Sequence, residues 1–364
     1  MSAQPKAAFE PLGRPPEIGE PAPFFTAPTT NVKRYSLDAA AGRWIVLMVF
    51  GTLSSPASLH ALDLALRRRD LFNDTDAAFF GVTVDQADRD RGLIDSEPGV
   101  RFFWDIDRAI CRLFGLANDD YLHPAIFLID PMFRIAMVEE LEAVDTVLDR
   151  LEAELREANR TTQTAPVLIL PRVLEPDFCR TLIDYYQRGE PAQSGFAAEV
   201  EGKTVNRLNP KLKRRHDVTI EDPDLAEALR ERLRLRLYPM IERAFGWRPT
   251  RIERDIICCY AAEEQGFFFP HRDDATAGTA HRKFAVTLNL NAEDYDGGEL
   301  RFLEFGKRTY KPPTGGAAVF ACGLLHEATP VTRGVRYAVV PFLYDEAGEK
   351  VRQANLGKVG EPDV

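Results

Sequence analysis

No stretch of eighteen consecutive apolar residues occurs in this 364-residue chain, so no membrane-spanning helix is expected. Nor is there an excess of base: 46 Lys and Arg stand against 56 Asp and Glu, a net charge of -10. A phosphate backbone needs a positively charged face, so nucleic acid is not an expected partner. Cysteine is scarce too. The five thiols, Cys111, Cys179, Cys258, Cys259 and Cys322, are odd in number and scattered among apolar residues. They read as buried free thiols of a reducing cytoplasm rather than a disulfide framework. Residues 1–15 lack the apolar core of a secretion signal and read as a loose tail. What remains is ordinary for a water-soluble globular chain, with 45% hydrophobic and 28% charged residues, and the length points to two domains.

The most informative stretch is Phe267–Asp273, Phe-Phe-Phe-Pro-His-Arg-Asp. In an extended strand, residues two apart share a face, so His271 and Asp273 can reach one ion. His326 lies roughly fifty positions later. Two imidazoles and a carboxylate on one side of a metal leave open positions, the arrangement of non-haem ferrous oxygenases. An isolated His-x-Asp carries little weight, but the surroundings add to it. Ile256–Tyr260 precedes the triplet, Phe284–Asn291 alternates as a half-buried strand, and Asp296-Gly297-Gly298 turns into another. Ala317–Phe320 then leads to His326, and Arg336 follows ten residues after it.

This order resembles the 2-oxoglutarate- and iron-dependent dioxygenases of the prolyl 4-hydroxylase type, over about residues 165–345. The resemblance implies a double-stranded β-helix, or jelly roll, with flanking helices. It implies Fe(II) held by His271, Asp273 and His326, with 2-oxoglutarate and O2 as co-substrates and ascorbate as an aid to turnover. Arg336 would grip the distal carboxylate of 2-oxoglutarate with two parallel hydrogen bonds. By resemblance Tyr260 would donate its hydroxyl to the co-substrate. Asn289 stands where relatives use a tyrosine for the distal carboxylate, and Thr287 shares its strand face. His281 reads as a supporting or loop residue, not a ligand.

The first half alternates strands and helices, which implies an α/β layer fold. Arg43–Phe50 reads as a central strand, Ala78–Asp85 as a second and Ala125–Asp130 as a third, with Phe133–Val138 as a hairpin partner. Helices are expected through Leu59–Leu66, over Asp105–Gly115, and along the Leu141–Leu155 stripe. The pattern resembles the peroxiredoxin branch of the thioredoxin fold over about residues 16–158. That family's Pro-x-x-x-Thr-x-x-Cys reads here Met48-x-x-x-Thr52-x-x-Ser55, and Pro124 stands about where an activating arginine would be. A serine offers no thiolate, so peroxidase activity should be absent. Cys111, in an apolar segment, reads as core. The half is expected to be a non-catalytic module for packing, docking or homodimerisation.

Residues 159–166 read as a linker, and residues 167–364 as the dioxygenase domain. Helices are expected over Glu175–Arg188 and from Asp222-Pro223 along Leu225, Leu229, Leu233 and Leu237, outside the barrel. The basic run Asn209–His216 reads either as a solvated loop or as a flap recognising an acidic group. The arginines Arg230, Arg232, Arg234 and Arg236 read as surface charge. The expected activity is hydroxylation of an aliphatic C–H of a peptide, protein or amino-acid-like substrate. The alternatives are a hydroxylase of a small natural-product scaffold, a non-catalytic adaptor and a thiol peroxidase.

Overall fold

The computed structural model describes residues 13–93, 95–96, 98–118, 120–158 and 163–360; most of the expected tail and half of the expected linker lie outside them. The chain divides into two units. Among the described residues, one takes 13–164 together with Leu303–Lys307, and the other Ala165–Phe302 and 308–360. No helix among the described residues is long and apolar enough to cross a membrane.

The N-terminal unit is a five-stranded mixed sheet: β1 (Trp44–Gly51), β2 (Ala77–Thr83), β3 (Val100–Trp104), β4 (Ala125–Ile129) and β5 (Ile135–Glu139), in the order β3-β2-β1-β4-β5. The first three run parallel, β4 is antiparallel to β1, and β5 is antiparallel to β4. Every residue of β1 is buried, which is why it reads as one apolar run. Val46, Met48 and Phe50 pack with Ala61 and Leu62 of α1 (Pro56–Arg67) and Leu148 and Leu151 of α3 (Val144–Ala158). The buried face of α1 is therefore Ser58, Ala61, Leu62 and Ala65, while Leu59 and Leu66 of the expected stripe are exposed. Strand β3 went unassigned in the sequence because Val-Arg-Phe-Phe-Trp is short and lacks alternation. The expected helix over Asp105–Gly115 shrinks to α2 (Ala109–Leu113), because the Asp105 carboxylate accepts from the N–H groups of Ile110 and Cys111 and so starts the helix late.

The C-terminal unit is built from two antiparallel sheets. Its strands are β6 (Leu168–Leu170), β7 (Phe196–Val200), β8 (Lys203–Arg207), β9 (Lys213–Arg214), β10 (His216–Thr219), β11 (Arg251–Glu253) and β12 (Ile256–Ala261), then β13 (Phe267–His271), β14 (Phe284–Asn289), β15 (Leu300–Arg301) and β16 (Thr309–Tyr310). The set closes with β17 (Ala317–Ala321), β18 (His326–Ala328), β19 (Val335–Val339) and β20 (Phe342–Tyr344). The smaller sheet runs β9-β13-β18-β15-β16; the larger runs β11-β20-β14-β19-β12-β10, with β17 on β14 and β6 on β17.

Helices α4 (Pro176–Arg188), α5 (Pro223–Arg232) and α6 (Tyr238–Phe245) cover the outer face of the larger sheet, where Leu182, Leu229, Leu237 and Ile241 meet Ile257, Val286, Leu288 and Val339. Asp222 caps α5 through the N–H groups of Asp224 and Leu225. A step of four residues overshoots an α-helical turn by roughly 40°, so an every-fourth stripe should drift off the sheet. A π turn at Leu233–Leu237 absorbs the excess and keeps Ile241 buried. Pro239, which has no N–H to donate, lies just beyond that turn. Because Val286 and Leu288 face the helices, Ala285 and Thr287 must face the barrel interior.

Candidate active site

Strand β13 ends at His271 and β18 begins at His326, and the two are direct register partners. Their ring centroids lie 4.3 Å apart. Asp273 falls beyond the strand end, in the following turn, where its N–H donates to the Cys322 carbonyl (2.9 Å). Its two oxygens lie 3.5 Å from His271 Nε2 and 3.3 Å from His326 Nε2. One ligand atom from each of the three falls within 4.8 Å of the others. The far side of each ring is also fixed: His271 Nδ1 lies 2.8 Å from the Phe269 carbonyl and His326 Nδ1 3.0 Å from that of Leu324. A carbonyl can only accept, so Nδ1 must carry the proton and Nε2 the lone pair in both rings. Burial and the neighbouring His271 push His326 down to about 4, so it stays neutral. Burial would raise the Asp273 carboxyl, but the neighbouring His326 and His271 rings and the Arg282 guanidinium hold it well below the usual range. The donor set of two neutral imidazoles and one carboxylate fits a hard-to-borderline divalent cation with open positions.

The interior cavity beside these groups is lined by Tyr260, Thr287, Arg336, Arg215, Arg254 and Phe268, among others. Arg336 is buried on β19, 5.1 Å above the Tyr260 ring, and its Nε has no hydrogen-bond partner. Tyr260 accepts a long hydrogen bond from Arg215 (3.5 Å), which leaves its own O–H free to donate inward. Asn289 departs from expectation. It is buried, its side-chain amide donates to the Pro312 carbonyl (2.8 Å), and it does not line the cavity. It shares a strand face with Thr287 but sits one step too far along the barrel. His281 bonds to Glu253 (2.7 Å) and takes no part in the cluster.

The basic run also departs from expectation. Lys213 and Arg215 are buried, while Lys211 is exposed and Arg214 points outward over Phe267. Two-residue alternation along an extended segment produces this, and in hindsight it was the available signal. Lys213 Nζ donates to the Gly195 carbonyl (2.6 Å) and sits 4.5 Å above the Phe268 ring. Arg215 bonds Asp217 (2.7 Å) and Ser194 (3.0 Å). Arg254, between β11 and β12, has a left-handed backbone (φ 69) and reaches toward Asp217 at 3.5 Å. Nothing in the sequence announced it.

In the N-terminal unit, Ser55 caps α1 by accepting from the Ser58 N–H (3.4 Å), and Thr52 donates to Asp85 (2.8 Å). Both hydroxyls are occupied with backbone architecture. All five cysteines are free. Burial pushes the Cys111 thiol up, away from thiolate, and does the same to the other four.

The C-terminal unit thus carries a domain of the 2OG-Fe(II) oxygenase superfamily, whose family model matches residues 256–344. The N-terminal unit carries a thioredoxin-fold domain of the AhpC/TSA family, matched over residues 18–138. Among individual proteins, the chain is 39% identical over 102 residues to a PKHD-type hydroxylase of Synechococcus sp. (strain JA-2-3B'a(2-13)), covering 26% of this chain and 45% of that protein. The match therefore spans less than half the length of this relative. A prolyl hydroxylase from Trichoplax adhaerens, solved with a hypoxia inducible factor peptide fragment, aligns over 54% of this chain and 89% of its own, at 17% identity and a TM-score of 0.39. The bacterioferritin comigratory protein of Xanthomonas campestris aligns over 38% of this chain and 99% of its own, at 21% identity and a TM-score of 0.31.

Proposed function

We propose that the chain is an iron(II)- and 2-oxoglutarate-dependent dioxygenase that hydroxylates an aliphatic C–H of a peptide, protein or amino-acid-like substrate. The observation that carries this reading is the pair of bare Nε2 atoms, His271 and His326, converging with ionised Asp273 beside buried Arg336, whose Nε has no partner. Iron(II) would be held by His271, Asp273 and His326. Arg336 would bind the distal carboxylate of 2-oxoglutarate, with Thr287 and the Tyr260 hydroxyl lining the same cavity. With iron, 2-oxoglutarate and dioxygen bound, the chemistry supplied is oxidation of an unactivated C–H to an alcohol, the keto acid ending as succinate and carbon dioxide. The protein's own part is to orient and to keep water away. Leu300, Phe320, Ala328, Val340 and Phe342 give the cavity an apolar wall, in which the Arg336 charge acts at full strength.

The similarity to a PKHD-type hydroxylase supports hydroxylation as the outcome. Ascorbate is expected to sustain turnover. Five free, weakly acidic thiols fit a reducing cytoplasm. The N-terminal unit, with serine at the nucleophile's position, is read as a non-catalytic module for docking or homodimerisation. The test is succinate formation from 2-oxoglutarate in the presence of iron(II), with a product heavier by one oxygen sought in cell extracts. Loss of both with His326→Ala supports the assignment; a product that survives overturns it.

A further inference from the structure

A second cavity, of about 430 Å³, opens on the other side of His271 and Asp273. That is enough room for a small molecule or a few residues of a peptide. Its walls include Phe196 of β7, Thr204 and Asn206 of β8, and the turn residues Thr276 and Thr279, which are small or neutral. Against them stand four cations, Lys213, Arg254, Arg272 and Arg282, of which Arg282 is paired with Glu253 and Arg272 donates to the Gly323 carbonyl. The imbalance of charge here is unusual. Lys213, Arg215 and Arg254 share a single carboxylate, Asp217, which Arg215 already engages at 2.7 Å and which also accepts from Ser194 at 2.6 Å. Arg254 reaches it only at 3.5 Å, and the polar partner given for the Lys213 ammonium is one carbonyl. Asp273 is the only carboxylate among the residues lining this cavity, and it is committed to the proposed metal. Glu253 is likewise taken up by His281 and Arg282.

A buried cation such as Lys213 is costly without counter-charge, and Arg254, its side chain 32% exposed, has only Asp217 at 3.5 Å. Arg336 in the deep cavity accounts for the keto acid's distal carboxylate; Arg254 lines both cavities, and Lys213 lines this one alone. We infer that the substrate itself carries a carboxylate, which docks against Lys213 and Arg254 and holds the target carbon in the cavity beside His271 and Asp273. The inference rests on the oxygenase reading for what happens next, though not for the docking. The carboxylate could come from an acidic side chain within a peptide or from a free amino acid. Burial and the neighbouring Arg215 depress Lys213 in the empty site, and a docked carboxylate would restore its charge.

The experiment uses two pools of terminally blocked hexapeptides, identical except for Glu or Gln at one position, together with free glutamate and glutamine amide, which has no carboxylate. Binding to the full-length protein is read by saturation-transfer NMR without metal. It is read again with manganese(II) and excess 2-oxoglutarate, where line broadening reports proximity to the ion. The Glu pool, or free glutamate, should bind at least tenfold more tightly than its amide counterpart, and the arm that responds identifies the source. Lys213→Met and Arg254→Gln should each erase that preference. Lys213→Met removes a buried amine that the fold must desolvate, so its thermal midpoint should match or exceed that of the parent. Equal binding of acid and amide overturns the inference, as does a preference that survives both substitutions. Displacement of the acidic ligands by 2-oxoglutarate also overturns it, because the cations would then serve the co-substrate. If manganese fails to bind and yet the metal-free preference stands, it is the oxygenase reading that fails.

Discussion

His271 and His326 face each other across one rung of an antiparallel ladder, and each ties Nδ1 to the carbonyl two residues before it. This repeated local bond sets tautomer and ring direction before any ion arrives. A metal entering such a site needs neither a ring flip nor a proton moved from Nε2, so ordering has already been accounted for in folding.

Removing either imidazole should therefore abolish tight metal binding rather than weaken it gently. His326→Ala is expected to lower manganese(II) affinity by more than the roughly 10–100-fold that loss of a mere supporting partner costs. Equilibrium dialysis of the folded variant measures it. An affinity within a few-fold of the parent would mean the ion sits elsewhere.

Arg336 has a buried Nε without a partner, so the cavity provides a guanidinium ready for a carboxylate. Arg336→Gln should raise the KM for 2-oxoglutarate by roughly ten- to a hundredfold, the equivalent of about 1.5–3 kcal/mol for a charge-assisted hydrogen bond. A fall in kcat with KM unchanged would place Arg336 outside the co-substrate site.

What the sequence made legible was whatever depends on short spacing. The His271-x-Asp273 pair, the buried run of β1 and the Asp222-Pro223 helix start are local patterns with local causes. Asn289 was misplaced because alternation reports which face a side chain takes, not how deep along the barrel it lies or which carbonyl will claim its amide. Lys213 and Arg215 were hidden by their own hydrophilicity: a run of four bases among five residues suggests solvent. Their inward direction depends on β9 and β10 pairing with β13 and β12, strands some fifty residues away in the chain. Arg254 left no trace at all, since a left-handed arginine is set by the bend between β11 and β12.

Glu253 supports the wall behind Arg282 and yields a pH signature. Burial would raise its carboxyl, but His281 and Arg282 outweigh that and bring it down to about 2 from an ordinary 4.5. A carboxylate with a depressed value stabilises the fold above its unfolded value and loses that contribution as pH falls through the folded one. Glu253→Gln should therefore cost on the order of 3 kcal/mol at neutral pH. The gap between parent and variant should narrow steadily below about pH 4.5. Urea unfolding at several pH values tests it, and a gap independent of pH would show that the ion pair contributes nothing.

Ser55 offers a last test, of the N-terminal unit. Its hydroxyl accepts from the Ser58 N–H at 3.4 Å, a long cap, and Thr52 is bound to Asp85 rather than to any reactive group. Ser55→Ala should thus cost only about 0.5–1 kcal/mol of stability, the low end for a lost helix cap. Ser55→Cys would place a thiol at a helix N-terminus, where the thiolate is favoured. With Pro124 standing about where the family's activating arginine would be, peroxide consumption should still stay far below that of a working thiol peroxidase. A rapid, stoichiometric peroxide reaction of that variant would instead mean that a single substitution is all that silences this half of the chain.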